Sequence, residues 1–324
     1  MRFWSFLLFQ LIGARGAFSF STSSSGGSPT TAAATKIPPS PLENVQRQTL
    51  LQDCFRAPSR ALWKRAQIPS KNARILEIGC GAGVTTRSLA QAYPDATILA
   101  IDANPNLIDT ASIQNSDLTN VNWAAMSGED AWDQLRQDQL FDVVWMRFVV
   151  VHVPDPQSII TSAAGCLKPG GRLLVEDCHA TGWFSDPPLY ACHMLHDGHV
   201  RASLELGGDI RRGPWIGGYM REAGLSEISY ETFCPVFSKG VENSNPWWSE
   251  EEATTDEQFE LGLQLLQQSL VSLSPKFLDM GICSEKDVSR AQESIDEVED
   301  REYQVFCVPG GHVFQWIGKK PPSS

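Results

Sequence analysis

The sequence predicts an α/β protein with a doubly wound, mostly parallel, seven-stranded sheet. Short apolar runs recur along the chain, and a segment of helical length separates each run from the next. The first run leads into a loop of alternating glycines, which is typical of a strand–loop–helix unit at a ligand site. A length of 324 residues and a hydrophobic content of 42% suit one core of this kind with an elaboration.

The chain before Asp177 supplies five of the predicted strands. Runs rich in Val, Ile and Leu place them at 74–78, 97–101, 121–124, 141–146 and 172–176. Because each run is short and almost wholly apolar, we expect parallel strands that are buried on both faces. A helix over 42–66 precedes them, and we expect Pro58 to interrupt it.

After Asp177 the alternation of strands and helices changes. Pro187 and the proline that follows it open a predicted helix that runs to about residue 206, and a second helix covers 215–223. Alternating apolar residues over 226–237 and 312–319 predict the last two strands.

A helical insertion is predicted before the last strand. Two apolar stripes at helical spacing, within 259–273 and 288–298, indicate its helices, and Ser284 has the character of an N-cap for the second. We expect these stripes to be packing surfaces, and a lid over a pocket is the alternative.

The glycine loop follows the first strand, in the segment Arg-Ile-Leu-Glu-Ile-Gly-Cys-Gly-Ala-Gly over 74–83. Glycines allow a ligand to approach the backbone closely, and the helix that follows presents unpaired N–H groups. A dinucleotide fingerprint requires glycine at the sixth position of this loop, where Val84 stands. Nicotinamide-dependent oxidoreduction is therefore disfavoured.

The segment resembles the first motif of the class I S-adenosylmethionine-dependent methyltransferases, an acid followed by alternating glycines. The resemblance implies a Rossmann-like methyltransferase fold and S-adenosyl-L-methionine as the cofactor. It implies that Gly79, Cys80 and Gly81 run along the methionine part of the cofactor. It also implies that Glu77 helps to hold the ammonium group.

The second strand ends at Asp102, where a carboxylate can accept hydrogen bonds from both hydroxyls of a ribose. We place Asp102 and the following Ala103 in the predicted cofactor site. The structural alternative for Asp102 is a helix N-cap, because Asn104 and Pro105 follow it.

The later motifs extend the resemblance over about 45–177. Ser127 and Gly128 fall where the family contacts adenine, and Glu129 or Asp130 can replace Ser127 in the role of the usual acid. Arg147 lies at the carboxyl end of the fourth strand, where open α/β sheets bind ligands.

Methyl transfer requires the nucleophile to be aligned with the methyl group, and a hydroxyl nucleophile must also lose its proton. His179, just after the fifth strand, is the first candidate for a general base, with a structural histidine as the alternative. Cys192, His196 and His199 share a helix face and form a possible metal site. Since most of the family works without metal, we expect none.

The predicted partner is a small-molecule acceptor. The net charge of −12 disfavours nucleic acid, and we expect no membrane association of the mature form. A catalytically silent protein that binds S-adenosylmethionine is the alternative function. Which acceptor is used, and the oligomeric state, are open.

Residues 1–40 are predicted to be a targeting leader. An apolar run over 3–12 has the length of a signal-peptide core, and 18–40 is rich in Ser, Thr and Ala without an acidic residue. This pattern resembles the two-part plastid leader of algae with secondary plastids; the alternatives are secretion and mitochondrial import.

The rest of the chain, 41–324, is predicted to form one methyltransferase domain. Its cofactor-binding core spans 41–180, and its helical acceptor or lid region comprises 181–225 and 243–303. The eight cysteines are scattered singly, so we expect free thiols and a reducing compartment.

Overall fold

The computed structural model describes residues 41–135, 140–241, 254–307 and 311–322, without the side chains of 41–44. The predicted leader, 1–40, lies outside these residues, as does 243–253 at the start of the predicted insertion.

The described residues form ten strands in two sheets. In chain order the strands are β1 (Arg74–Ile78), β2 (Thr97–Asp102), β3 (Val121–Ala125), β4 (Phe141–Arg147), β5 (Leu167–His179), β6 (Phe184–Asp186), β7 (Ser226–Phe233), β8 (Val236–Lys239), β9 (Gln304–Cys307) and β10 (His312–Lys319). The main sheet has seven strands in the order β3-β2-β1-β4-β5-β10-β7. Strands β1 to β5 are parallel, and β10 runs antiparallel to both β5 and β7. The predicted fold class is confirmed.

Nine α-helices connect and cover the strands within the described residues. They are α1 (Pro41–Arg65), α2 (Val84–Ala92), α3 (Pro105–Gln114), α4 (Ala131–Gln134), α5 (Pro156–Gly165), α6 (Tyr190–Glu205), α7 (Ile216–Glu222), α8 (Thr255–Asp279) and α9 (Glu285–Asp296).

Both faces of the main sheet are buried along its central strands, as the apolar runs predict. Ile75 of β1 packs with Trp63 of α1 and Leu89 of α2 on one face. The next residue, Leu76, points to the opposite face and packs with Ile160 of α5. Because neighbouring residues of a strand face opposite sides, a strand that is apolar throughout fits only between two helical layers.

A helical layer, made of the first half of α1 with α6, α8 and α9, lies over the carboxyl ends of β4 and β5. Its apolar cluster includes Phe148 and Val151, which follow β4, and Cys178 and Ala180 at the end of β5. The small sheet, in the order β6-β9-β8, belongs to this layer through Phe237 and Phe306. The order of the main sheet reverses between β1 and β4, so the crevice typical of ligand sites in open α/β sheets opens towards this layer.

The predicted interruption of the first helix at Pro58 is wrong. The helix α1 continues through Pro58 to Arg65, although proline removes one N–H from the helical ladder. The Pro58 carbonyl accepts a hydrogen bond of 2.8 Å from Nε2 of Gln315 on β10. Tertiary packing of a buried helix therefore outweighs the local cost of the proline.

Two other predicted boundaries are corrected. The strand expected over 226–237 is divided between β7 and β8, which belong to different sheets. Pro235 stands between them, and it cannot donate to a continuous ladder. The helix expected from Pro187 begins at Tyr190, because Leu189 occupies its N-cap position.

The eight cysteines are free thiols, as expected, but two of them lie together. The sulfur atoms of Cys234 and Cys307 are 3.1 Å apart, between the β7–β8 connection and the end of β9. Within the described ranges, every helix is too short or too polar to cross a bilayer.

Candidate active site

A pocket opens at the carboxyl ends of β1, β2 and β4, and α1 covers it. Its empty space is about 520 Å³, including the open mouth. The residues that line it are Gln48, Leu51, Glu77, Gly79, Cys80, Gly81, Val84, Thr85, Asp102 and Arg147. Glu77, Gly79, Cys80, Gly81, Asp102 and Arg147 are thus brought together as their predicted roles require.

The glycine loop forms the floor of this pocket. Its first two glycines have positive φ angles, 76° at Gly79 and 58° at Gly81, which side chains disfavour. The backbone N–H groups of Gly79 and Cys80 donate to the Ile101 carbonyl at 2.8 and 3.0 Å. A Cβ at Gly79 would stand 2.5 Å from Cγ2 of Val149. Both backbone conformation and space therefore require glycine there.

Asp102 ties the loop to the end of β2. Its Oδ2 accepts the Gly81 N–H and its Oδ1 accepts the Asn104 N–H, both at 2.9 Å. A carboxylate has about four acceptor positions, so one at this place can accept from hydroxyl donors as well as from backbone N–H groups. The N-cap of α3 is Asn104, whose side chain accepts from the Asn106 N–H. The alternative of Asp102 as that cap is therefore not what the structure shows.

Two buried carboxylates flank Arg147. Its guanidinium donates to the hydroxyls of Ser59 and Thr85, and the Ser59 hydroxyl donates to Glu176 at 3.0 Å. Burial lowers the pKa of Arg147, and the negative charges of Glu176 and Glu77 oppose that change. Arg147 therefore stays positive beside the pocket, with its charge balanced inside the protein.

Glu77 is the carboxylate of this group that faces the pocket. Burial raises its pKa to about 7, an effect that the nearby Thr86 hydroxyl and Arg147 oppose and Asp102 reinforces. Among the described residues, no group meets hydrogen-bond geometry with Glu77 Oε2. A buried carboxylate oxygen without a donor is costly, which fits a site for a cationic ligand group.

The other predicted cofactor residues do not line this pocket as the structure describes it. Ala103 is exposed next to Asp102. The Ser127 hydroxyl donates to Glu129 at 2.7 Å, which shapes the turn after β3. A Cβ at Gly128 would stand 2.5 Å from Cγ2 of Ile78, so that turn needs glycine. Their contacts with adenine stay predictions.

Comparisons with known proteins decide the family. A family model described as a methyltransferase domain matches residues 76–173. The ubiquinone biosynthesis O-methyltransferase of Xanthomonas axonopodis pv. citri is 30% identical over 173 residues, which make up 52% of this chain and 69% of that protein. The chain belongs to the class I S-adenosylmethionine-dependent methyltransferases. The methyltransferase is also 34% identical over 125 residues to the ubiquinone biosynthesis O-methyltransferase of Xylella fastidiosa, covering 38% of this chain and 49% of that protein.

Two solved structures are similar to the methyltransferase at low sequence identity. Phosphoethanolamine N-methyltransferase 2 of Haemonchus contortus, in complex with S-adenosyl-L-methionine, has a TM-score of 0.48 at 17% identity; the match covers 81% of this chain and 52% of that one. The YcgJ protein of Bacillus subtilis has a TM-score of 0.46 at 16% identity, and the match covers 85% of this chain and 99% of that one.

The pocket residues fit the cofactor of the methyltransferase, S-adenosylmethionine. Glu77 Oε2, which has no donor among the described residues, suits its ammonium group, and Arg147 suits its carboxylate. Asp102 has the acceptor capacity for its ribose hydroxyls. When bound, the cofactor supplies a sulfonium methyl group that is open to attack by a nucleophile.

His179 lies at the end of β5 and does not line the described pocket. Its Nδ1 is 2.6 Å from the Thr181 hydroxyl, and Asp209 and His312 lie within electrostatic reach. Burial is the main reason that the pKa of His179 is lowered, so the imidazole is neutral at pH 7. Its role as a base stays a prediction, and its neighbours are not those of the cofactor.

The alternative metal site is not assembled. Among the residues that the structure describes, no three His, Cys, Asp or Glu side chains are grouped as metal ligands. His199 packs edge-on against Phe277, with ring centres 5.7 Å apart, and His196 pairs with Asp197 at 3.0 Å.

The sequence motifs did not identify the site residues that α1 supplies. Oε1 of Gln48 accepts the Ala82 N–H at 2.9 Å and so covers the glycine loop. Gln52, one turn further along, accepts a hydrogen bond of 3.2 Å from Thr85. A helix that covers a pocket but lies far from the motifs in sequence has no motif of its own. Only its apolar residues, such as Leu51, indicate which side is buried.

Proposed function

We propose that this methyltransferase transfers the methyl group to an oxygen atom of a small molecule held between the cofactor pocket and the helical layer. One observation carries the proposal. Leu51 both lines the cofactor pocket and belongs to the apolar cluster of the helical layer, so the pocket borders that cluster directly. Relatives that are 30% and 34% identical are named O-methyltransferases, which favours oxygen over nitrogen or carbon.

The apolar cluster supports an acceptor that is partly hydrophobic. Phe148 follows β4 directly after Arg147, and it packs edge-on against Phe55 of α1 at 5.4 Å between ring centres. A dry environment of this kind strengthens the attraction between a nucleophile and the sulfonium by lowering the local dielectric.

An oxygen nucleophile needs a group that takes its proton, and two histidines are candidates. His152, in the loop after β4, is buried; burial and then the charges of Arg212 and Arg47 hold its pKa well below the usual value. It is therefore neutral at pH 7. We favour His152 over His179 as the base, because His152 is buried in the loop after β4, the strand that ends at the pocket residue Arg147, whereas His179 is only partly buried.

Substitution tests this assignment. We expect His152→Gln to lower kcat about 100-fold or more, because general-base catalysis contributes about that factor, and to leave the affinity for S-adenosylmethionine unchanged. His179→Gln is the matched variant and should keep at least half of the activity. A large loss in His179→Gln with none in His152→Gln would reverse the assignment.

The atom that is methylated is tested with the full-length protein and labelled S-adenosylmethionine. The acceptors offered are 3,4-dihydroxybenzoate, as a source of phenolic oxygen, and sarcosine, as a source of nitrogen. We expect transfer to the phenol, with the methyl ether identified by mass spectrometry. Transfer to sarcosine in preference to the phenol would contradict the proposal for oxygen.

A further inference from the structure

A positive charge buried in α1 has no partner among the residues that the structure describes. The Arg47 side chain is 0% exposed, and none of its three nitrogens has a hydrogen-bond partner among the described residues. Burial holds the pKa of Arg47 well below the usual value. A buried cation that is neither paired nor hydrogen-bonded is costly, so proteins seldom keep one without a use.

The groups around Arg47 do not neutralise it. The histidines His152, after β4, and His199, on α6, both lie within electrostatic reach of the guanidinium. Burial and neighbouring positive charges, with Arg47 the largest of those for His199, hold the pKa of both well below the usual value. Both imidazoles are therefore neutral at pH 7 and supply no counter-charge.

A second buried donor lies beside His199. The ring of Trp183 is 5.6 Å from that of His199, and its buried indole N–H has no partner among the described residues. The Arg47 guanidinium and the Trp183 indole therefore both lie near His199, and neither has an acceptor within the part of the chain that the structure describes. This arrangement is what an anion-binding site requires before the anion arrives.

Arg47 and His152 lie close in sequence to residues of the cofactor pocket. Arg47 precedes Gln48 in α1 and lies one turn before Leu51, and both of those residues line the pocket. His152 lies on the loop that leaves β4, beyond Arg147 of the pocket. The two sites are therefore built from the same helix and the same strand end.

We propose that Arg47, with His199 and Trp183, binds an anionic oxygen group of the acceptor, a carboxylate or a phosphate. The planar guanidinium matches the two oxygens of either group, and neutral imidazoles can donate as well. This inference rests on the proposed function, because it specifies the acceptor of the same methyl transfer. Since Arg47 is fully enclosed, the helical layer opens locally for the anion to enter.

Thermal unfolding of the full-length protein tests the anion site without methyl transfer. The probes are sodium benzoate and sodium phosphate at constant ionic strength, each compared with sodium chloride. Wild type is compared with Arg47→Met, which keeps the length of the side chain and removes the charge. Arg60→Met is the control, because Arg60 is an exposed arginine of the same helix.

We expect benzoate or phosphate to raise the Tm of wild type and Arg60→Met, and to leave that of Arg47→Met at its value in chloride. The larger shift identifies carboxylate or phosphate as the class. In chloride alone, Arg47→Met should unfold about 2 °C or more above wild type, because it lacks an unpaired buried charge. The proposal is overturned if neither anion stabilises wild type more than chloride does, or if wild type and Arg47→Met respond equally. It is also overturned if Arg47→Met unfolds at a lower temperature than wild type or fails to fold.

Failure of this site and failure of the proposed function give different results. If the rise in Tm with benzoate or phosphate depends on Arg47 but only sarcosine is methylated, the anion site is supported and the proposal for oxygen is contradicted. If the phenol is methylated but Arg47→Met keeps the wild-type KM for 3,4-dihydroxybenzoate, the oxygen proposal stands and the anion site falls.

Discussion

Glu77 and Asp102 stand on either side of the glycine loop and differ in what already binds them. Asp102 accepts two backbone N–H groups at 2.9 Å, which hold its carboxylate in place. Glu77 keeps one oxygen without a donor among the described residues, and burial raises its pKa to about 7. Asp102 is therefore preorganised, whereas Glu77 reaches its charged form fully when a cation binds.

The raised pKa of Glu77 predicts a pH-dependent affinity for the cofactor. A carboxyl group with a pKa of about 7 is mostly protonated at pH 6, and it must release that proton to bind an ammonium group. Affinity therefore falls as the pH falls below 7, by about tenfold at pH 6 relative to the ionised plateau. Calorimetric titration with S-adenosylmethionine between pH 5.5 and 7 measures this change.

The matched variant is Glu77→Gln, which removes the titrating group. Its affinity should be weaker than that of wild type at pH 7 and should not change between pH 5.5 and 7. If the variant keeps the wild-type slope, another group titrates and Glu77 does not hold the ammonium.

At the scale of residues, the motifs located those parts of the site that lie next to each other in the chain. Glu77 lies near the end of β1, the glycine loop follows that strand, and Asp102 ends β2, so the predicted strand ends also located these site residues. Gln48 and Arg47 come from a helix far away in sequence, and a polar residue on such a helix has no local feature that distinguishes it from a solvated one. Their roles depend on long-range packing.

The elements of the core were predictable because their patterns are strong. The predicted limits of β1 and β10 agree with the structure, whereas β6 and β9 were not predicted. With three and four residues, these two strands are too short for an alternating pattern to appear. The continuity of α1 through Pro58 was not predicted because it depends on long-range packing, which includes the hydrogen bond from Gln315 of β10 to the Pro58 carbonyl.

Cys234, between β7 and β8, and Cys307, at the end of β9, form a thiol pair that predicts a disulfide. The hydrogen bond between the thiols lowers the pKa of Cys234 and raises that of Cys307, where burial adds to the rise. With glutathione disulfide as oxidant, the Cys234 thiolate displaces one glutathione, and Cys307 then displaces the second, so two glutathione thiols are released. Intact-mass measurement of the protein should show the loss of about 2 Da.

Cys307→Ser provides the control for this reaction. It lacks the second thiol, so it should stop at the mixed disulfide with glutathione. If folded wild type also retains glutathione, or does not react, the two sulfurs that lie 3.1 Å apart do not form the bond.

For the whole molecule, alternation of apolar runs was enough to predict the seven-stranded sheet and its two covered faces. The packing of the helical layer was not predictable. An apolar stripe indicates that one face of a helix is buried, but it does not indicate which other element packs against that face. The position of that layer over β4 and β5 follows from tertiary contacts of Phe148 and Cys178.

The composition of residues 1–40 leads us to propose import into a plastid. A fluorescent protein fused after residue 45 should accumulate in the plastid of a diatom cell. Deleting the apolar run 3–12 from the fusion should leave it in the cytosol. Accumulation of the intact fusion in the medium or in mitochondria would favour one of the two alternative destinations.

The most direct test of the account is calorimetric titration of the full-length protein with S-adenosylmethionine, beside Asp102→Ala and beside NADH. We predict micromolar binding of S-adenosylmethionine, a loss of about 100-fold or more in Asp102→Ala because a charged pair of hydrogen bonds is removed, and no heat with NADH. Equal affinity of Asp102→Ala and wild type would contradict the assignment of the pocket, and a preference for NADH would contradict the cofactor itself.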